Sequence, residues 1–595
     1  MGLIPKTGRR SPKTRFLLVM IFLLLSVGAV SMTVPFLLML SGSTRSGVDL
    51  HEFSLLPRFL HDDDLLFQKY IEGLYNESPA NLRAAWEIDI SEFAGLERLE
   101  QIDPDQVRRW QDFLSEQDIA DHERFAGFTY CPISRGRPFT ARLFMRHLIG
   151  QYPQGIQEMN ADLETTFANW NAFNVLPPDS RTRHGQMADT PWWRAWHAFV
   201  SESAPPWITG IHHLNGYYHE RVTTVLEGMT APRQSLSATP NSDSPHWELF
   251  VREVVHPGFV RMDPKYSEPW RELLRARYGD LGSFQNLSGW TVETWEDLIL
   301  PATLAEAGSL EADWLAFLLG WQDLEQDELR KIPLEGLRLD SPDLRWRELT
   351  GESPPYREVD EWTFETHRSE IRRLFLFQHY GTVWEILIRH GRGLWVTVVY
   401  CASAVALALI VNPLAAYALS RFRPRHSYAF LLYLLLTMAF PPMVTQIPLF
   451  LMLRDLQLLN TFWALLLPGM AHGYSIFLLK GFFDSLPREL YESASLDGAG
   501  ELLMFRVITL SLSKPILAVI ALSAFVNAYT SFMFALLICQ DERMWTLMVW
   551  LYQLQQQYGP GVMNAAFVLA ALPTLFVFLL AQRQILRGIV VPSEK

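Results

Sequence analysis

The sequence predicts an all-α membrane protein in which six membrane-spanning helices carry a mainly helical body inserted between the first and second. Three observations carry that expectation. Uncharged stretches long enough to cross a bilayer occur once near the start and then only after residue 390. Residues 41–390 hold 33 Lys and Arg against 55 Asp and Glu, a balance of −22; the rest holds 18 against 9, or +9, and the two sum to the −13 of the chain. In the acidic stretch Trp and Tyr recur at helical spacing, and alternating β-branched runs are scarce. At 595 residues and 49% hydrophobic content the chain is long enough for several domains and more apolar than an average soluble enzyme. No basic face of the size a nucleic-acid binder needs is present. Three cysteines, Cys131, Cys401 and Cys539, give neither a disulfide framework nor metal-ligand spacing.

The N-terminus, residues 1–15, is basic, with Lys6, Arg9, Arg10, Lys13 and Arg15 and no acid. Residues 16–40 then run 25 residues without charge, where about 20 suffice to span a bilayer core. That run exceeds the roughly 7–15 apolar residues of a signal peptide, and no clean cleavage site follows. It reads as an uncleaved span with a cytoplasmic N-terminus. The later spans are Gly393–Ser420, Ser427–Leu453, Leu456–Leu479, Pro515–Gln540 and 562–582. Arg421, Arg423 and Arg425 follow the second span; Lys480, Arg488, Arg506 and Lys514 follow the fourth; Arg583 and Arg587 follow the sixth. By the positive-inside rule those loops and both termini are cytoplasmic, and residues 41–390 lie on the far side.

A degenerate repeat runs through the exported body. Ile156-x-x-Met159-Asn160, Ile211-x-x-Leu214-Asn215 and Leu281-x-x-Phe284-Gln285 share a pattern. Seven residues beyond its last position stand Phe167, Val222 and Val292, and ten beyond stand Trp170, Val225 and Trp295; copies one and three then reach Leu176–Pro177 and Leu300–Pro301. The starts differ by 55 and then 70 residues, so this is no tight solenoid. Residues 270–301 resemble a short helical stretch of some large glycoside hydrolases, without catalytic carboxylates, which supports a packing unit. His212, His213 and His219 do not fall on one helical face, and no metal is expected there. Solvated histidines, a solvated acidic turn at Asp62–Asp64 and a buried or free Cys131 thiol are the expectation. The many tryptophans read as core more than as a sugar groove.

The segment 480–515 is unusual for a loop between spans. Pro487 suits the first turn of a helix, Asp484 and Ser485 offer caps ahead of it, and Glu489 and Glu492 favour its positive end. Ser493, Ala494, Ser495, Gly498, Ala499 and Gly500 then crowd together, letting another backbone approach and the chain turn. The expectation is a short surface helix followed by a second helix from about Glu501.

This stretch resembles the EAA loop of ABC-importer permeases, in which Glu-Ala-Ala, three residues, Gly and nine residues precede Ile-x-Leu-Pro. Here, within residues 484–511, it reads Glu492-Ser493-Ala494, Gly498 and Ile508-x-Leu510; Ser493 replaces the first Ala and Ser511 the usual Pro. Residues 35–40, 414–422, 448–450 with 458–461, and 582–583 with 587–588 resemble the sugar-importer branch, and within it the maltose-type second permease. The resemblance covers about 240 residues in spans one to six and leaves the insertion uncovered.

The resemblance implies a bacterial inner-membrane permease core at 391–595 and a periplasmic domain at 41–390. It implies a carbohydrate substrate, a second permease subunit, a solute-binding protein, lipid contact and a dimer of ATPase subunits. ATP is bound by those subunits, since this chain has no G-x-x-x-x-G-K-[ST] loop. Glu492, Ser493, Ala494, Gly498, Ile508 and Leu510 would form the ATPase socket, with the tail 583–595 as a further contact. Trp545, Tyr552, Gln555 and Tyr558, beside Gln556 and Gln557 in the loop 540–563, would meet the binding protein. Gln446, His472, Asn527, Tyr529, Thr530 and Ser531 are pathway candidates, because polar groups inside spans usually face a cavity or a partner helix. The insertion would dock the binding protein or the partner permease. A sugar-processing enzyme or a ligand sensor on a permease-like anchor is the competing reading.

Overall fold

An apolar run with no charge and no polar stripe forms a helix that can face lipid on all sides. Helix Pro12–Gly42 is such a run, and its side chains from Phe16 to Met32 are almost all exposed. The computed structural model describes residues 12–170, 181–183, 190–241, 244, 246–323, 328–389, 391–437 and 441–588. The chain forms two units, one of Met1–Thr44 with His379–Lys595 and one of Arg45–Gln378.

Among the described residues of the first unit three helices are long and apolar enough to cross a membrane: Arg15–Gly42, Gly393–Arg421 and Pro560–Gln582. Two bent pairs, Phe462–Gly469 with Gly473–Asp484 at 49° and Glu501–Leu512 with Lys514–Tyr529 at 84°, raise the number to five if each pair is one span. The expected six spans meet local breaks with sequence causes. The stretch 427–453 is two helices, Ser427–Thr437 and Pro442–Asp455, the second opened by the extended Pro441 and Pro442 at its first turn. The stretch 515–540 ends one helix at Tyr529 and starts another, Met533–Ile538. Helix Gly393–Arg421 is central, packing on Lys514–Tyr529 and Gly473–Asp484, while Pro560–Gly588 packs on Lys514–Tyr529 and on the first helix. Close approaches are bought with glycine: a Cβ on Gly393 would stand 2.3 Å from the Trp550 ring.

The second unit is helical apart from three antiparallel ribbons of three-residue strands, among the described residues. Its tryptophans are largely core. Trp110, Trp270 and Trp314 are fully buried, Trp270 edge-on to Phe317 and Trp110 edge-on to Trp346. The repeat has a structural counterpart. Each copy opens or lies in a helix: Ile156–Asp162, Leu214–Tyr218 and Leu281–Ser288. In copies one and three the amide of Asn160 or Gln285 donates to the backbone carbonyl seven residues on, Phe167 or Val292. In copy two Asn215 instead accepts from the Leu236 backbone and pairs with Glu87, and Val225 points to solvent. Leu176–Pro177 lies outside the described residues, as does the tail beyond Gly588.

Two expectations are corrected. His212 and His213 are buried, not solvated, against Phe125 and Tyr356. Asp62–Asp64 is a built helix start: Asp62 accepts from Leu65 N at 3.0 Å and pairs with Arg58, while Asp63 pairs with Arg368 and Arg372. Buried ionisable groups recur in this unit. Lys69 meets Asp49 at 2.6 Å with no exposure of its own side chain. Burial pushes the Glu72 carboxyl up to about 8 and that of Asp360 up to about 7. The stacked rings of His122 and His256, 5.5 Å apart, are held down by burial, to about 3 and about 4.

Candidate functional site

Helix Gly473–Asp484 ends where Asp484 accepts from Ser420 Oγ and Lys480 Nζ, both at 2.6 Å. Ser485 Oγ donates back to the Phe482 carbonyl. Neither residue therefore caps the next helix, as the sequence suggested. Pro487 takes the cap position with φ −57° and ψ 127°, and helix Arg488–Leu496 starts without a side-chain cap. Glu489 in the first turn complements the helix dipole.

One side chain of this helix is buried, Tyr491. Glu492 and Ser493 are exposed and Ala494 is half-buried. The helix closes in a Schellman motif: Ala499 N donates to Ala494 O at 2.9 Å and Gly498 N to Ser495 O at 3.1 Å. Gly498 sits at φ +80°, and nothing in the chain lies within 4 Å of where its Cβ would be. Its requirement inside this chain is conformational rather than steric. Leu496 is 89% exposed and Leu502 75%, with Leu490 also exposed. Three apolar side chains thus stand uncovered along this loop.

Helix Glu501–Leu512 follows. Its middle, Phe505–Thr509, widens into a π-turn that contains Ile508, a deviation frequent at functional sites. Ile508 and Leu510 are half-buried against the cluster that holds Met504 and Phe505. The chain then breaks at Ser513, and Pro515 opens the next helix. The sharp bend thus forms with Ser511 in place of proline.

Residues that sequence reasoning passed over support this loop. Tyr417 Oη donates to Glu501 Oε2 at 2.6 Å, and Arg421 Nε faces Glu501 Oε1 at 3.4 Å. The Arg421 guanidinium lies over the Tyr491 ring at 5.3 Å, and Tyr491 shares a buried 2.8 Å hydrogen bond with Thr509. Tyr417 and Arg421 stand four apart on one helical face, which is the signal that was available. Asn412 was also missed, although a polar residue in mid-span beside Pro413 is itself a signal. Its Oδ1 accepts from His472 N at 2.8 Å and its amide donates to Ala408 O.

The pathway candidates do not share one environment. His472 is half-buried, 3.2 Å from Ser475 Oγ, and Gln446 is half-buried on a separate helix. Asn527 and Thr530 are exposed, and Thr530 Oγ1 donates to Val526 O within its own turn. Ser531 is half-buried. Tyr529 is buried and ties its helix to the last one by donating to Ala570 O at 2.5 Å. The loop 540–563 folds as helix Leu547–Gln557. Leu547, Val549, Trp550, Leu551 and Leu554 face inward, while Tyr552, Gln555, Gln556 and Gln557 face out. Trp545 and Tyr558 are half-buried, and Trp545 meets Trp550 edge-on. Asn460 fixes this end by accepting from Asp541 N at 2.8 Å.

Comparison with known proteins bears on the same region. Residues 405–591 match the family described as "Binding-protein-dependent transport system inner membrane component". The probable ABC transporter permease protein YurM of Bacillus subtilis is 34% identical over 203 residues, 33% of this chain and 68% of that protein. The arabinooligosaccharides transport system permease protein AraQ of Halalkalibacterium halodurans is 28% identical, over 37% of this chain and 78% of its own. The sn-glycerol-3-phosphate transport system permease protein UgpE of Yersinia enterocolitica is 30% identical, over 40% of this chain and 87% of its own. These matches, on a chain whose apolar helices are long enough to span a bilayer, show that it belongs to the family of binding-protein-dependent transport system inner membrane components, the permeases of ABC transporters.

Proposed function

We propose that this chain is one of two permease subunits of an ATP-driven importer for a carbohydrate, of the oligosaccharide, maltose-like class. Its loop 484–511 seats one subunit of a separate ATPase dimer. The observation that carries the reading is helix Arg488–Leu496, attached through Tyr491 and ended by a glycine at positive φ, with Glu492, Ser493 and the apolar Leu496 turned outward. Such a helix is a knob that fits a groove on a partner. Ala494, Ile508 and Leu510 back that knob from inside. Nucleotide-driven closure of the ATPases would move it as a rigid body and bias an alternating-access equilibrium. The relative named for arabinooligosaccharide transport supports the substrate class.

In this reading the first helix is one of six spans, both termini are cytoplasmic, and residues 41–390 form a domain in the periplasm. The outward residues Tyr552 and Gln555, flanked by Trp545 and Tyr558, meet the solute-binding protein. Gln446, His472, Asn527, Thr530 and Ser531 are the polar groups offered to the solute, while Tyr529 braces the helices beside them. The chemistry of ATP hydrolysis stays on the partner. Affinity purification of the tagged chain from its own host tests this. Recovery of an ATPase subunit and a second permease is expected; a chain recovered alone, with glycosidase activity in its exported domain, would refute it.

A further inference from the structure

Helix Arg488–Leu496 is moored to its unit chiefly through Tyr491, the one buried side chain it has. That ring is held from two directions. The Arg421 guanidinium lies over its face at 5.3 Å, and the buried Thr509 hydroxyl meets its Oη at 2.8 Å. Arg421 is the last residue of helix Gly393–Arg421, the helix on which Lys514–Tyr529 and Gly473–Asp484 both pack. One turn earlier Tyr417 grips the carboxylate of Glu501, the first residue of helix Glu501–Leu512, and lies against Phe505 at 5.1 Å between ring centres. Arg421 Nε approaches the same carboxylate at 3.4 Å. One step further along, Ser420 holds Asp484. Three successive positions of the loop, 484, 491 and 501, are therefore fastened to the final turn of one span.

A force applied to an exposed helix reaches the rest of a protein only through its attachments. Here a cation over an aromatic face resists sliding, and a buried hydroxyl pair resists rotation. We propose that Arg421, seated on Tyr491, is the positioning residue that makes helix Arg488–Leu496 and the inner end of helix Gly393–Arg421 move as one body. This rests on the reading of the loop as the ATPase seat.

The test uses the complete transporter in lipid nanodiscs, with the chain carrying Cys131→Ser, Cys401→Ala and Cys539→Ala. Spin labels are placed at Leu496→Cys and Phe422→Cys, both exposed. Their separation is measured without nucleotide and with magnesium ATP plus orthovanadate. One narrow distance, the same in both states, is expected. Arg421→Ala should lose that narrow peak; Arg421→Lys, which keeps a cation over the ring, should retain it, and Tyr491→Phe, which keeps the ring beneath the cation but drops the Thr509 bond, should broaden it less than Arg421→Ala. In parallel, the ratio of ATP hydrolysis with and without the solute-binding protein should fall toward one in Arg421→Ala and recover in Arg421→Lys. A distance that shifts with nucleotide in the parent, or an Arg421→Ala protein with the parent's peak and ratio, would overturn the proposal. If ATPase subunits do not assemble with the parent chain, the seat reading fails, while the peak width in the isolated chain still decides the joint.

Discussion

The core of one unit and the loop of the other place their residues in opposite ways. In Arg45–Gln378, Trp110, Trp270 and Trp314 are fully buried and charged groups such as Lys69 and Asp360 are enclosed with their partners. In the unit that contains the loop, Leu496, Leu502, Glu492 and Gly498 stand outside. A buried motif residue has completed its work within the chain. An exposed motif of small and apolar residues is unfinished until something covers it. The difference separates composition that builds a core from composition that recruits a partner.

The contrast breaks most visibly at Trp314, whose indole also donates to Pro301 O at 3.0 Å. Trp314→Ala should cost about 3–5 kcal/mol in the unit Arg45–Gln378, read as early protease cleavage within 45–378, and leave ATPase subunits bound. Loss of those subunits together with the fold would show that the units are not independent in function. Next comes Tyr529→Phe, which removes the added donor to Ala570 O and with it a tie between two helices. About 0.5–1.5 kcal/mol of thermal stability should disappear from the membrane unit in detergent; an unchanged melting temperature would argue that the hydroxyl bonds elsewhere.

Gly498 sharpens the comparison. At φ +80° an ordinary L-residue costs roughly 1–2 kcal/mol, and asparagine far less. If the glycine serves only the turn, Gly498→Asn should assemble with ATPase subunits and Gly498→Val should not. If the partner's backbone comes close there, both variants lose the ATPase, which is the outcome expected from the seat.

A pH slope is expected in the unit Arg45–Gln378. Asp360, pushed up to about 7 by burial, holds its proton more tightly folded than unfolded. Its contribution is complete below the ordinary carboxylate range near about 4 and is lost as pH rises through about 7. Asp360→Asn should reduce that slope, to which Glu72, pushed up to about 8, adds with the same sign; His122 and His256 give the opposite slope, their contribution being lost as pH falls below about 6.5. A profile unaltered by Asp360→Asn would mean that the carboxyl is not enclosed.

Much of this was legible in the residues. Charge-free runs gave the first helix and helix Gly393–Arg421 almost to the residue, because lipid-facing helices need little beyond length and apolarity. The EAA-like spacing located a short helix, a glycine turn and a second helix. What could not be read is how polar side chains choose among neighbours. Asp484 looked like a cap and instead joins Ser420 and Lys480; Tyr529 looked like a pathway residue and instead joins Ala570. His212 and His213 looked solvated, and rings far away in the chain, among them Phe125, Tyr75 and Tyr356, lie against them. Those outcomes depend on contacts between residues far apart in the chain, which local spacing does not encode.

The most direct test asks what covers Leu496. A photo-crosslinking reagent attached at Leu496→Cys, in membranes containing the whole transporter, should capture an ATPase subunit, while the same reagent at the also exposed Leu349→Cys or Leu287→Cys should not. Capture of the ATPase from neither position, or from all three alike, would contradict the claim that helix Arg488–Leu496 is its seat.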